Sequence, residues 1–286
     1  MSSPTLSIVV AASHAAATPN RCLAALAPQV TSDTEVLVVS TAPERRVARE
    51  FPFATWIDAR GPRLAPELWG LGVERARGRI IALTVTDCAP SPGWIRALLD
   101  AHRAPHAAIG GPIANAPDAR LIDRAVYFVR YTAYMPPLRS GLVDDIPGDN
   151  GSYKREALAD WLDEILRHGF WEVDINRRLR RQGATLWMEA GALMLHAGSF
   201  SILGFSRQRF AHGRRFGAAN RARMRSAERW ARVVAWPLVP LLMLGRIAGR
   251  VFRRGDERLA FLLAVPLIVW FLACWSTGEC VGLVRD

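Results

Sequence analysis

The sequence predicts an α/β fold, a mostly parallel sheet with helices on both faces, followed by C-terminal basic amphipathic and hydrophobic membrane helices. Three observations carry that prediction. Short β-branched runs alternate with stretches of helical spacing as far as His196, the positive excess of the chain is gathered toward its C-terminal end, and 20 uncharged residues follow there, Leu259 to Gly278.

Ser7–Ala12 (SIVVAA), Glu35–Val39 (EVLVV), Ala54–Ile57 (ATWI) and Arg79–Thr84 (RIIALT) have the composition of buried strands. Between them, Asn20–Leu26 and Pro66–Ala76 have helical spacing, with Pro66 placed for a first turn. Strand and helix in alternation give a parallel sheet, because parallel neighbours need a crossover and the crossover covers a face. Ligands of such sheets bind beyond the carboxyl ends of the strands. The fourth strand runs into Val85-Thr86-Asp87, so Asp87 stands at a ligand-binding position. Trp94–Ala101 is helix-like, Ala107–Ile113 (AAIGGPI) is one further apolar run, and Leu121–Tyr131 is another segment before a loop rich in Pro, Gly and Asp that ends at Gly148–Tyr153. Phe170–Arg181 reads as an amphipathic helix with Trp171, Ile175 and Leu179 on one stripe and Gly183 as its stop. Ala184–Glu189 and Ala192–His196 read as short strands that close a domain of residues 1–204.

Residues 205–286 differ in composition. The net charge of +11 equals that of Arg207–Arg258 alone, where 14 arginines face Glu228, Asp256 and Glu257. A nucleic-acid-binding domain spreads its cations over the folded surface that meets phosphates; here they flank apolar segments, which points to anionic membrane lipid and to no nucleic acid. Arg207–Arg232, with Phe205, Phe210, Phe216 and Trp230, fits a helix at the bilayer interface with aromatic anchors. Val233–Gly245 is uncharged for 13 residues and broken by Pro237 and Pro240, too short to span. Leu259–Gly278 is long enough to span, with Pro266 as a kink and Glu279 as its close. Arg250, Arg253, Arg254 and Arg258 would put its N-terminal end in the cytoplasm and Asp286 across the membrane. A buried helical hairpin is the plainer alternative. Four cysteines without metal-finger spacing, and no leader-like N-terminus, predict a reduced cytosolic domain without disulfides. Lys154 is the only lysine, which reads as compositional bias.

The order of motifs adds a family. The strand Ser7-Ile8-Val9-Val10, the strand Glu35–Val39, and Glu74-Arg75-Ala76-Arg77-Gly78 before Ile80–Leu83 are followed by Asp87 with Pro90 and Gly93-Trp94. Asp149-Asn150-Gly151-Ser152-Tyr153 and Trp171-Glu172-Val173-Asp174 come next. From Ser7 to Gly217 this succession resembles the family 2 inverting glycosyltransferases of GT-A fold, in their membrane-associated bacterial type. The resemblance implies transfer of a sugar from a nucleotide-sugar donor to a lipid-linked or cell-envelope glycan acceptor at the cytoplasmic face of the bacterial cell membrane. It implies donor binding by Ser40, Arg75, Asp87 and Arg214, a divalent metal (Mg²⁺ or Mn²⁺) on Asp87 and His196, an acceptor side at Asp149, Asn150 and Gly151, and a catalytic acidic motif at Glu172 and Asp174.

The chemistry explains the residue types. A departing nucleoside diphosphate is neutralised by a hard cation that prefers carboxylate oxygen, and an attacking hydroxyl needs a carboxylate to take its proton. Each residue also has a plain reading. Glu172 can serve only the helix dipole, Asp174 can form a surface ion pair with Arg178 at i+4, Asp87 can cap a helix, and His196 can be structural. The arginines at 207, 209, 214 and 215 suit either a diphosphate or a membrane. The sequence departs from the family at Val85, where an aspartate is usual, at Ser40-Thr41-Ala42, where acids are usual, and at Val10–Ser13, where a proline is usual. Those departures favour, as the alternative, a catalytically silent membrane scaffold or partner subunit. A dinucleotide oxidoreductase is set aside because no G-x-G-x-x-G follows the first strand.

Overall fold

The β-branched runs form the strands their composition predicts. The computed structural model describes residues 3–12, 20–42, 45–61, 63–221, 224–254 and 257–284, so Ser13, Asp256 and Asp286 lie outside the described residues. In chain order the elements are β1 (Leu6–Ala12), α1 (Asn20–Leu26), β2 (Thr34–Ser40), α2 (Arg45–Glu50), β3 (Ala54–Asp58), α3 (Ala65–Arg75), β4 (Ile80–Val85), β5 (Cys88–Pro90), α4 (Trp94–Ala101), β6 (Ala108–Gly110) and β7 (Ile113–Asn115). There follow α5 (Leu121–Tyr131), β8 (Gly141–Val143), β9 (Asn150–Lys154), α6 (Arg155–Leu158), α7 (Leu162–His168), α8 (Glu172–Arg181), β10 (Leu186–Met188) and β11 (Met194–His196). The helices α9 (Ile202–Arg221), α10 (Ser226–Val234), α11 (Val239–Arg254) and α12 (Arg258–Val284) complete the chain.

Two compact units result. The first comprises residues 1–116 and 134–198, the second residues 117–133 and 199–286. In the first unit a mostly parallel sheet has the order β3-β2-β1-β4-β9-β6-β10-β8. The β1–β2, β1–β4, β2–β3 and β6–β10 pairs are parallel; β9 runs antiparallel between β4 and β6, and β8 runs antiparallel to β10. The chain leaves β1 toward β2 and β3 and returns on the other side as β4, so strand order reverses between β1 and β4. Their carboxyl ends flank the crevice where sheets of this kind hold ligands. The strands are buried along their length, with Ile8, Val9, Val10, Val38, Val39, Ala82 and Leu83 wholly or nearly enclosed, as a sheet covered on both faces requires.

The run at 107–113 is divided. It forms β6 up to Gly110, and after Gly111-Pro112 it continues as β7 in a second sheet of order β5-β11-β7. A β-carbon on Gly111 would lie 1.9 Å from the Ala192 carbonyl oxygen, so glycine is needed for the chain to pass from one sheet to the other.

The second unit gathers α5 with the four C-terminal helices. The buried face of α5, with Tyr127, Phe128 and Tyr131, supplies Phe128 to an edge-on contact with Phe261 at 5.5 Å. Arg124 pairs with Glu257 at 2.9 Å. α9 is a packed helix and not an isolated interfacial one: a β-carbon on Gly213 would meet the Trp275 carbonyl at 2.0 Å, and one on Gly282 would meet the Arg214 carbonyl at 2.0 Å. Small residues thus let α9 and α12 touch backbone to backbone. Phe205, expected as a membrane anchor, is instead 1% exposed and stacks edge-on against Phe271 at 4.7 Å; Phe210 and Trp230 are exposed. Glu279 does not end the apolar helix. α12 continues to Val284, and Glu279, nearly enclosed, pairs with Arg232 at 2.9 Å. Among the described residues α12 is long and apolar enough to cross a membrane, and Ser226–Val234 with Trp236–Arg254, bent by 54°, together have the length and apolarity of a broken span or re-entrant segment. Leu241, Leu242, Leu259, Leu262, Leu263 and Trp270 are exposed on these helices.

Candidate active site at the carboxyl edge of the sheet

Thr86 and Asp87 follow β4 directly, and the Thr86 amide donates to the Ala11 carbonyl of β1 at 3.2 Å. This bond pins Asp87 to the reversal point between β1 and β4. Asp87 is 6% exposed, and the Ala197 amide donates to its backbone carbonyl at 2.8 Å. That bond sets β11 beside it. In the same sheet His196 stands opposite Cys88 and, on its other side, level with Asn115. Asp87 and His196, far apart in sequence, thus come from adjoining backbone. The Cys22 thiol of α1 is pushed up to about 12, first by burial and then by the Asp87 carboxylate. It is an inert core thiol.

Two strands further along the same edge, Ser40 ends β2 and pairs in register with Asp58 at the end of β3. The Ser40 hydroxyl accepts the Ala42 amide at 3.1 Å, and the Asp58 carboxylate accepts the Arg60 amide at 3.1 Å. Arg60 adopts a positive φ of 39°, and Gly61 follows at 80°. Sequence reasoning looked for an acid after β2 and found none; Asp58 is an acid one strand over on the same edge. A carboxylate closing a β-branched run was the available signal.

Glu172 opens α8, where an anion is favoured by the helix dipole. Its place is set by packing against α3 and the loop before β9. The Trp69 indole donates to the Thr84 carbonyl at 2.8 Å, and a β-carbon on Gly148 would lie 2.9 Å from that ring and 3.0 Å from the Glu172 carboxyl carbon. Glu172, Trp69 and Gly148 therefore gather beside the end of β4, three residues before Asp87. One turn on from Glu172, Asn176 donates to the Ile146 carbonyl at 3.0 Å and to Asp145, and accepts from the Tyr153 hydroxyl at 3.0 Å. Burial, then Glu172 and Asp145, hold that phenol protonated well above its usual range, so it remains a donor. The Phe170 amide donates to the Pro66 carbonyl at 2.7 Å, which ties the start of α8 to the start of α3. Trp69, Gly148 and Asn176 were not singled out in the sequence, because their roles depend on contacts between distant segments.

Other predicted residues lie elsewhere. Asn150 is fully enclosed: its side chain accepts from the Trp94 indole at 2.8 Å and donates to the Pro112 and Ala192 carbonyls at 3.0 and 2.8 Å. These bonds account for its polar atoms, and Asn150 clasps the two sheets together instead of facing an acceptor. Gly151 is required because a β-carbon there would lie 2.6 Å from the Pro147 carbonyl. Asp149, next to them, is partly exposed. Asp174 pairs with Arg177 at 3.1 Å, and Arg178 pairs with Glu164 with Asp174 as a further negative charge beside it. Arg75 is exposed at the end of α3, and Arg77 two residues later bonds Ser7 and Glu35 at the amino ends of β1 and β2. A crossover helix must run back along the sheet, so Arg75 is at the opposite edge from Asp87. Arg214 belongs to α9 in the second unit.

The architecture has a counterpart among solved structures. A mannosyltransferase from Pyrobaculum calidifontis, solved with GDP-mannose and Mn²⁺, aligns over 100% of this chain and 88% of its own, with a TM-score of 0.57 and 15% identity. The fold is glycosyltransferase-like. A mycobacterial protein of known structure aligns over 73% of each chain at 13% identity and a TM-score of 0.49. No protein-family model and no curated protein sequence matches the chain.

Among the described residues no three His, Cys, Asp or Glu side chains form a metal cage. What directly follows β4 is one carboxylate, Asp87, with the His196 imidazole on adjoining backbone. A small hard cation keeps several waters and is often bound through one or two carboxylates together with substrate phosphates. This sparse donor set fits an ion that arrives with a diphosphate, not one held permanently.

Proposed function

We propose that this chain is an inverting glycosyltransferase that moves a sugar from a nucleotide-sugar donor to a lipid-linked or cell-envelope glycan acceptor at the cytoplasmic face of a cell membrane. The observation that carries the reading is the Glu172 carboxyl group packed against Gly148 and Trp69 beside the end of β4, with Asp87 three residues beyond. In this reading Asp87 and His196 hold the donor diphosphate through a divalent cation, which when bound supplies the positive charge that the leaving diphosphate needs. Ser40 and Asp58 face the nucleoside, and Asp149 lies on the acceptor side. Glu172 takes the proton from the acceptor hydroxyl as its oxygen bonds to the anomeric carbon; the bond from that carbon to the diphosphate oxygen breaks, and displacement from the opposite face inverts the centre. Support for a nucleotide-sugar donor comes from the likeness to a mannosyltransferase that binds GDP-mannose and Mn²⁺. Support for the membrane setting comes from the apolar α12 and the arginines flanking it.

The test is binding of UDP-, GDP- and TDP-sugars to the detergent-solubilised chain by thermal shift, with and without Mn²⁺, since a ligand of the folded state raises its stability. One donor is expected to give a metal-dependent shift, preserved in Glu172→Gln while sugar transfer and donor hydrolysis are lost. A second reading, a silent scaffold, is favoured by Val85 in place of the usual aspartate; it prevails when no donor gives a shift.

A further inference from the structure

The amino edge of the same sheet carries a different feature. An open cavity of about 960 Å³ lies among Thr5 before β1, the start of β4, the end of β9, α4, and the segment of α6 and α7. It belongs wholly to the first unit, and roughly 20 Å of strand separates it from Asp87. Its floor is aliphatic, with Val73, Ile81, Leu99, Leu158 and Leu162 among the lining residues and no Phe, Tyr or Trp. Its rim is cationic. Lys154 donates to the Ala104 carbonyl at 3.0 Å, and Arg155 donates to the Gly78 and Ala76 carbonyls; these acceptors are neutral, and among the described residues neither cation has a carboxylate in ion-pair range. Arg79 is exposed and, among the described residues, has no carboxylate in ion-pair range. Arg103 pairs with Asp100 at 3.2 Å, and Glu156 is the acid of the lining. His102 also lines the cavity; its Nε2 bonds the Ser152 hydroxyl at 2.8 Å, and its buried Nδ1 has no hydrogen-bond partner among the described residues.

We propose that this cavity binds a phosphate-headed lipid, the phosphate over Arg79, Lys154 and Arg155 and the aliphatic tail on the half-buried Leu99 and Leu162. A nucleotide base would seek an aromatic face, which the lining lacks, whereas a flexible chain packs on branched aliphatics. A phosphate offers several acceptors to the cations that share this lining. A volume near 960 Å³ falls in the usual range for small-molecule sites. The site is separate from the proposed transfer site and does not depend on that assignment.

The single lysine makes the test selective. Reductive ¹³C-methylation of the full chain in dodecyl maltoside preserves the charge and labels Lys154 as its one lysine signal. Titration with dodecyl phosphate is expected to move that signal saturably. The move should be about tenfold weaker in affinity in Arg79→Glu, which reverses one rim charge, and lost in Leu162→Trp, which fills the tail space. Arg79→Gln serves if the reversal fails to fold, as judged by the thermal midpoint. Inorganic phosphate alone reproducing the full change would overturn the proposal in favour of a plain anion site. A non-saturable change, or equal changes in wild type and Arg79→Glu, would overturn it as well, since both describe detergent gathering at the micelle.

Discussion

At the carboxyl edge of the eight-stranded sheet stand the acids Asp58, Asp87 and Glu172, with Arg60 beside the first of them; at the amino edge, around the cavity, stand Arg79, Lys154 and Arg155. One acid at that second edge, Glu35, is matched by the Ser7 hydroxyl at 2.6 Å and the Arg77 guanidinium at 2.7 Å. These partners hold its carboxyl below the usual range against the opposing effect of burial, which is the largest single influence on it. One sheet therefore gathers different chemistry at its two ends. Asp87 and Glu172 stand by the point where strand order reverses, and three cations above an aliphatic floor stand where the crossover helices return. Parallel strands make this separation natural, because each edge collects one kind of connection.

The sharpest way to break the comparison is Glu172→Gln, which keeps shape and removes the proposed base. Transfer should fall by about 10²–10⁴-fold with donor binding unchanged, read as initial rate beside thermal shift. Gly148→Ala tests position instead of chemistry. Its added carbon displaces Trp69 or the carboxyl of Glu172, and a misplacement of about 1 Å costs roughly 10²-fold in rate, with the thermal midpoint showing whether folding is also affected. Asn150→Ala strips the clasp between the sheets and leaves the Trp94 indole unsatisfied; about 3 kcal/mol of stability should be lost, measured by denaturant unfolding, whereas an acceptor-binding role would appear in KM. Asp58→Asn at the same edge should weaken donor binding by about tenfold or less, since an exposed charged hydrogen bond contributes roughly 1 kcal/mol, and the change should depend on the donor base.

A smaller effect marks the amino edge. Burial, then Lys154 and His106, push the His102 imidazole down to about 4. The unfolded chain takes up a proton near pH 6.5 that the folded chain refuses until about 4. The stability that the neutral ring supports is thus complete above pH 6.5 and is lost as pH falls toward 4. His102→Gln, which keeps a partner for Ser152, should flatten that part of the difference between wild-type and variant thermal midpoints across this window.

Much of the frame was legible in the sequence because strand composition is local. β1 through β4, α1, α4 and α8 follow from their own residues, and Asp87 follows from its place after a buried run. Asn150 was read as acceptor-side from a motif resemblance, and its contacts with Trp94, Pro112 and Ala192, which join distant segments, are what reveal an internal clasp. Arg75 could have been excluded beforehand, since a helix leaving the carboxyl edge must end at the other one. Phe205 could not have been placed, because an aromatic on a basic helix suits a membrane surface and a buried partner equally until Phe271 is known to face it.

The glycine contacts between α9 and α12 bear on how this molecule can be handled. Gly213 and Gly217 leave bare backbone that α12 covers, and Glu279 leaves with that helix, abandoning Arg232. Trimming the chain before Arg258 to gain solubility would strip the second unit of its seam and present α9 to its neighbours as an adhesive face. Preparation should therefore surround α12 with detergent or lipid and leave it in place.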